Sequence, residues 1–189
     1  MKQRIRHFIY LIILIILDQG TKFWAKTTLK EDGPISIIPD VLKLQYHENS
    51  GAVWGILQGK ASFLSIVTIF ILTLLLYVYF KIPKEKKFDP LKLIFVFIGA
   101  GAIGNMIDRI SYNFVVDFIY FELINFPIFN VADCYVTISS VFIIILFLFY
   151  YKDQDLAFLD QLFQSKKNVQ SGQIKQDNQE LEENNGKTK

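Results

Sequence analysis

The fold is decided by residues 61–80, which read ASFLSIVTIFILTLLLYVYF. Two serines and two threonines, Ser62, Ser65, Thr68 and Thr73, are the polar interruptions of this stretch. About 20 consecutive apolar residues are enough for a helix to cross the hydrocarbon core of a bilayer. The stretch therefore predicts a membrane span.

Three further stretches have the same character, residues 7–25, 91–107 and 131–151. In the first, the apolar run 8–17 is short, so Asp18 and the polar residues after it are expected at the far end of that helix. A signal peptide is the alternative for residues 1–25, but no small-residue cleavage site follows the apolar run. The sequence thus predicts a membrane α-helical fold, a four-transmembrane-helix bundle with an uncleaved first span.

Composition narrows the classes of partner and cofactor. The chain has 189 residues, a formal net charge of +2 and a hydrophobic fraction of 52%. A charge so close to zero argues against a nucleic-acid partner. The single cysteine, Cys134, excludes an intrachain disulfide, and His7 and His47 are too few for a histidine-built metal centre. We expect no metal and no cofactor.

Basic residues indicate how the spans are oriented. Lys2, Arg4 and Arg6 precede the first span, and four lysines follow the second within residues 81–87. The connections 26–60 and 108–130 carry fewer basic residues for their length. Because short cytoplasmic loops are enriched in Lys and Arg, both termini are predicted to be cytoplasmic and the two longer loops to face outward.

The first outward loop and the C-terminal segment differ from the spans in composition. Residues 34–38 and 41–46 are strand-like and are separated by a turn at Pro39 and Asp40, which predicts β-structure at the membrane surface. After residue 152 the chain becomes polar and, further on, rich in Gln, Asn, Lys and Glu. We therefore expect a transmembrane domain over residues 1–151 and a disordered cytoplasmic tail over residues 152–189.

With this topology, polar side chains near the spans converge on one membrane face. Asp18 follows Arg6 by 12 residues, or about 18 Å of helical rise. The other converging residues come from the ends of the third and fourth spans and from the outward loops: Asn49, Asn105, Asp108, Arg109, Asp117, Asn130 and Asp133. Ionisable groups at the edge of the hydrocarbon are costly and usually pair or function there.

Each of these features also has a purely structural interpretation. Asp18 and Lys22 suit an i,i+4 ion pair, and Asp108 and Arg109 suit a charged helix end. Asn49, followed by Ser50 and Gly51, suits a turn. Asp133 suits the capping of a helix N-terminus. The glycine-rich stretch 99–104 lies inside an apolar helix, which favours helix packing over dinucleotide binding.

Asp117 and Asp133 point to a chemical function. Two carboxyls held close together at the edge of a low-dielectric region share a proton and titrate as a pair. One ionised and one protonated carboxyl is the equipment of an aspartic protease. A small transporter that uses the acids as ion sites, a non-enzymatic anchor, and a Ser50–lysine dyad stay open at this point.

Five blocks of sequence, in order, carry a family resemblance. They are Asp18-Gln19-Gly20-Thr21-Lys22, residues 49–55 (NSGAVWG), residues 101–109 (GAIGNMIDR), Val116-Asp117-Phe118 and residues 129–133 (FNVAD). In this series the chain resembles the lipoprotein signal peptidases (signal peptidase II), which are bacterial membrane aspartic proteases.

The resemblance implies a site, a substrate and a fold. It implies catalytic roles for Asp117 and Asp133, with the substrate-binding or supporting residues Asp18, Lys22, Asn49, Gly51, Asn105, Asp108, Arg109 and Asn130. The implied reaction is cleavage of a prolipoprotein signal peptide just before a diacylglyceryl-modified cysteine. The implied fold adds a small extracytoplasmic β-sheet to the four helices. The implied location is the bacterial cytoplasmic (inner) membrane, and a monomer surrounded by membrane lipid is expected. Which aspartate holds the shared proton is left open.

Overall fold

The computed structural model describes residues 2–51 and 57–159, and within them four helices are long and apolar enough to cross a membrane. They are α1 (Lys2–Trp24), α2 (Ala61–Lys81), α3 (Asp89–Tyr112) and α4 (Val131–Ile145). A π-helical turn extends α1 through Ala25–Leu29, and another extends α4 through Leu146–Tyr150. The predicted four-helix fold is confirmed, and α3 is longer than the predicted span.

The outer surface of the helices is apolar. Phe70 of α2 is 70% exposed, and Phe149 beyond α4 is 81% exposed. Water would penalise so much exposed hydrocarbon. A helix satisfies its own backbone groups, so such a surface suits a lipid environment. The chain is a multi-pass membrane protein.

Helix α3 packs against α1, α2 and α4, and glycine makes one of these contacts possible. A Cβ atom added to Gly101 would lie 2.5 Å from the carbonyl oxygen of Ala132 and 2.8 Å from Cγ2 of Val136. The α3 and α4 backbones therefore approach closely at this point. The glycine-rich stretch acts in helix packing, as its position in an apolar helix predicted.

A small antiparallel sheet lies where α1 and α3 end and α4 begins. Its strands are β1 (Ile35–Ile38), β2 (Leu42–Asn49) and β3 (Val115–Phe121), in the order β1-β2-β3. The predicted turn is present, with Asp40 in the left-handed region at φ 57°. Strand β3 was not predicted, because residues 108–130 were interpreted as an outward loop. Its β-branched and aromatic side chains were the available signal.

Two clusters of buried apolar side chains close the two ends of the bundle. At the sheet end, the sheet packs against the end of α1 through the buried residues Ala25, Leu29, Val116 and Phe118. At the opposite end the cluster consists of Ile82, Phe88, Leu91, Tyr151 and Phe158. The connections are thus held against the helices at both ends.

The predicted C-terminal tail is described in part. Phe158 packs edge-on against Phe88, with 5.7 Å between the ring centroids. Residues 160–189 lie outside the described residues, so the boundary at residue 152 and the disorder of the tail stay predictions.

Gly101→Ala is expected to lower the melting temperature in detergent, because its Cβ has no room beside the Ala132 carbonyl. Overpacking of this kind costs about 1–3 kcal/mol. Gly99→Ala, on the same helix, is the matched control because its Cβ meets only Leu11 Cδ1 at 3.8 Å. Equal melting temperatures for the two variants would contradict the close approach of α3 and α4.

Candidate active site

A buried lysine joins α1 to α3 at the sheet end of the bundle. Lys22 is 2% exposed. Its ammonium lies 3.0 Å from Asp18 Oδ2 and 3.1 Å from Asp108 Oδ2, and it donates to Asn105 Oδ1 at 2.8 Å. The ammonium therefore has two ion-pair partners and one hydrogen-bond acceptor. Two buried carboxylates share one cation.

Asp18 also connects α1 to α4. Its Oδ1 accepts a hydrogen bond of 3.0 Å from the backbone N–H of Ala132, in the first turn of α4. A carboxylate at a helix N-terminus satisfies an otherwise unpaired N–H and interacts favourably with the helix dipole. Gly104 leaves space for this carboxylate, because a Cβ there would collide with Asp18 Oδ2.

Asp108 connects the end of α3 to β3. Its Oδ2 accepts a hydrogen bond of 3.0 Å from the backbone N–H of Val116. Its Oδ1 lies 3.1 Å from Nε2 of Gln19. The same Gln19 nitrogen is 3.1 Å from Asp18 Oδ2 and 3.1 Å from the Gly104 carbonyl. Gln19 belongs to the first motif but was not predicted as a site residue. An amide next to an acid in the sequence does not by itself indicate a functional site.

Asn130 and Asp133 form a capping box at the start of α4. Asn130 Oδ1 accepts from the backbone N–H of Asp133 at 3.0 Å, and Asp133 Oδ2 accepts from the backbone N–H of Asn130 at 3.1 Å. Asp133 therefore takes part in capping the N-terminus of α4, as its structural interpretation predicted. Its other oxygen, Oδ1, accepts a hydrogen bond of 2.8 Å from Asn105 Nδ2, so Asp133 also faces the polar residues of α3.

Asp117 lies on β3 between two asparagines. Asn130 Nδ2 donates to its Oδ1 at 2.5 Å, and Asn49 Nδ2 donates to its Oδ2 at 2.9 Å. In the register of β2 and β3, Asp117 is opposite His47 and Asn49 is opposite Val115. Asn49 is thus a diagonal neighbour of Asp117 on the same face of the sheet.

The environment of Asp117 favours its protonated form. The residue is 1% exposed. Loss of hydration, together with the nearby Asp133 carboxylate, raises the pKa of Asp117 to about 7, although hydrogen bonds from Asn49 and Asn130 oppose the shift. A carboxyl of this kind exchanges its proton near neutral pH.

Asn49 and Arg109 both contact Gly51. Asn49 Oδ1 accepts from the backbone N–H of Gly51 at 3.0 Å, and Nη2 of Arg109 donates to the Gly51 carbonyl at 3.4 Å. The predicted turn after Asn49 is therefore present and is joined to α3. Residues 52–55 of the same motif lie outside the described residues.

The structure brings all ten predicted site residues together at the sheet end of the bundle. Asp108 pairs with Lys22, a partner that differs from the neighbour Arg109 of the alternative structural interpretation. The individual catalytic and binding roles stay predictions. Among residues 2–51 and 57–159, no group of three or more His, Cys, Asp or Glu side chains is arranged to hold a metal ion.

Comparisons with known proteins identify the family. The sequence model of the family described as Signal peptidase (SPase) II matches residues 10–149. The chain belongs to the signal peptidase II family. It is therefore a membrane-embedded aspartic peptidase by family, as predicted, and the alternatives of a transporter and a non-enzymatic anchor are set aside.

Individual relatives agree with this family. A lipoprotein signal peptidase of Staphylococcus aureus (strain JH9) is 43% identical over 136 residues, which is 71% of this chain and 82% of the relative. The lipoprotein signal peptidase of strain Newman matches equally well, with 43% identity over 136 residues, 71% of this chain and 82% of the relative.

Two solved structures share the fold. A bacterial membrane enzyme determined in meso at 2.3 Å resolution has a TM-score of 0.65 at 37% identity, covering 76% of this chain and 87% of its own. A second, determined in meso at 1.9 Å, has a TM-score of 0.64 at 36% identity, covering 77% and 94%. Both are described as bacterial membrane enzymes, in agreement with the four-helix membrane fold.

Lys22→Met is expected to destabilise the protein strongly, because two buried carboxylates lose their cation. Removal of one partner from a buried ion pair costs about 3–5 kcal/mol. Lys30→Met is the control: its pair with Glu48, at 2.9 Å, has half-exposed side chains and should contribute little. Thermal unfolding in detergent measures both, and a Lys22→Met protein as stable as Lys30→Met would contradict the role of Lys22.

Proposed function

We propose that this chain hydrolyses the signal peptide of prolipoproteins just before the diacylglyceryl-modified cysteine, with Asp117 and Asp133 activating the attacking water. One observation carries the proposal: Asn130 binds both acids, Asp117 through its side chain and Asp133 through its backbone N–H and its cap. One residue thus holds a strand carboxyl and a helix carboxyl in a fixed relation.

The substrate class is supported by the relatives and by the location of the acids. The two Staphylococcus aureus relatives are named lipoprotein signal peptidases and are matched over 82% of their length. The acids lie at one end of helices whose outer surfaces are apolar. A lipid-modified peptide can approach such a site sideways, with its acyl chains still in the bilayer.

The donors around the two carboxyls suit acid–base chemistry. Each of the four carboxyl oxygens of Asp117 and Asp133 accepts one N–H hydrogen bond, from Asn49, Asn105 or Asn130. Amide groups orient a carboxyl without exchanging protons with it near neutral pH. A carboxylate oxygen has two lone pairs, so each retains a position for water or for the shared proton.

The proposed reaction uses the two protonation states of the pair. The ionised carboxyl takes a proton from water as the oxygen attacks the peptide carbonyl carbon, and the protonated carboxyl donates a hydrogen bond to the carbonyl oxygen. The proton then passes to the leaving nitrogen as the C–N bond breaks. With a pKa of about 7, Asp117 is the member to which we assign the shared proton in the free enzyme.

The remaining residues are proposed to position the pair and the substrate. Lys22, Asp18 and Asp108 join the elements that carry the acids. Arg109 and Asn49, which both contact Gly51, are proposed to donate hydrogen bonds to the substrate peptide. We further propose a monomer with both termini cytoplasmic and the acids near the outer face, from the basic residues that flank the spans.

Asp117→Asn and Asp133→Asn are each expected to abolish cleavage of a purified lipidated prolipoprotein. Loss of a general acid or base costs about 10²–10⁴-fold in rate, and an amide can replace neither. Asp40→Asn is the control, because Asp40 is exposed in the β1–β2 turn and asparagine tolerates its positive φ. Wild-type activity in either site variant would overturn the proposed pair.

A metal chelator is expected to leave wild-type cleavage unchanged, because the proposed reaction uses carboxyls and water only. The same purified enzyme and substrate serve for the measurement, with and without chelator. Loss of activity that returns on addition of a divalent metal would overturn the proposed chemistry while leaving the substrate assignment in place.

The rate should fall as pH rises through about 7, because the proton shared by the pair is lost there. Because the pKa of Asp117 is raised to about 7, the singly protonated pair predominates below that pH and the doubly ionised pair predominates above it. The measurement is kcat/KM against pH, with Asp40→Asn as control. A rate that is constant from about pH 6 to about pH 9 would contradict a proton held by Asp117.

A further inference from the structure

The end of the bundle opposite the acids is strongly basic. Residues 2–7 and 81–92 contain eight basic residues, Lys2, Arg4, Arg6, Lys81, Lys84, Lys86, Lys87 and Lys92, against two acids, Glu85 and Asp89. Part of this charge orients the spans in the membrane. Orientation needs only basic residues in exposed loops, however, and one of these lysines is buried.

A cavity lies at this end, between the start of α1, the end of α2 and α3. Its volume is about 220 Å³, and its lining includes Gln3, Arg4, Tyr79, Lys84 and Lys92. Three of these side chains are cationic, and none is an acid. This volume is large enough for a phosphate-sized group.

Lys92 is the buried member of the lining. The residue is 5% exposed. Its nearest ion-pair partner among the described residues, Asp89, is 4.0 Å away, which is longer than a hydrogen bond. Asp89 also accepts a hydrogen bond from the Gln3 side chain. The Lys92 side chain is thus buried along most of its length, while the only carboxylate near its ammonium among the described residues is distant.

The neighbouring groups are held in place by aromatic side chains. The Arg4 guanidinium lies 5.0 Å from the centroid of the Phe80 ring, within the range of a cation–π contact. The hydroxyl of Tyr79 is 2.8 Å from Nδ1 of His7. Arg4 therefore lies beside an exposed apolar residue of α2, since Phe80 is 53% exposed.

We propose that this cavity binds the phosphate of an anionic phospholipid headgroup, with Arg4, Lys84 and Lys92 as its cationic ligands. Basic pockets between transmembrane helices bind such headgroups. The acyl chains would lie along the apolar outer surface of α2, while the phosphate supplies the counter-charge that Asp89 provides incompletely. The site is at the far end of the bundle from Asp117 and Asp133 and does not depend on the proposed cleavage reaction.

The test compares two double variants that each remove two positive charges from this end. Arg4→Gln/Lys84→Gln changes exposed residues that line the cavity, and Lys81→Gln/Lys86→Gln changes exposed residues outside its lining. The full chain in neutral detergent is titrated with phosphatidylglycerol, with phosphatidylcholine of the same acyl chains, and with inorganic phosphate. Native mass spectrometry counts bound lipid, and thermal unfolding reports stabilisation.

The proposal predicts that phosphatidylglycerol binds and stabilises the wild-type chain and the Lys81/Lys86 variant alike. The Arg4/Lys84 variant should bind it at least about tenfold more weakly, since charge-assisted contacts to phosphate are lost. Equal weakening of both variants would overturn the proposal in favour of general surface charge. Equal binding of phosphatidylcholine, or equal stabilisation by inorganic phosphate, would overturn the assignment of an anionic lipid.

Discussion

The structure depends on the compensation of the Lys22 ammonium inside an otherwise apolar bundle. Three acceptors from α1 and α3 surround it, and the two carboxylates among them extend the contact further. Asp18 continues to the N-terminus of α4, and Asp108 continues to the backbone of β3. Four elements are therefore joined through one cation. An unpaired charge at this depth would be costly, so these elements hold one another in place.

Two polar residues near the acids, Asn130 and Asp133, each make two kinds of contact. Asn130 begins α4 as its N-cap and also binds Asp117. Asp133 completes the capping box and also faces Asn105. The groups that cap the N-terminus of α4 are thus the same groups that orient the two carboxyls.

The two ends of the bundle differ in how their charges are compensated. At the sheet end, acids, amides and Lys22 satisfy one another within the protein. At the other end, basic residues outnumber acids, and Lys92 has only a distant carboxylate. The proposed headgroup phosphate would bring a negative charge to these basic residues.

The sequence by itself determined the four spans, because uninterrupted apolar length is a local property of the chain, as in residues 61–80. Ordered motifs that resemble a known family also predicted the ten residues that the structure brings together at the sheet end, and alternation and a turn predicted the first two strands. The sequence did not reveal β3, because residues 115–121 suit both an interfacial loop and a strand until β2 is beside them. It did not reveal the partner of Asp108, which is Lys22 some 86 residues away in sequence rather than its neighbour Arg109. Only the tertiary structure decided these points. Hydrogen bonds across a sheet and ion pairs between helices depend on distances in space, which a pattern along one chain does not encode.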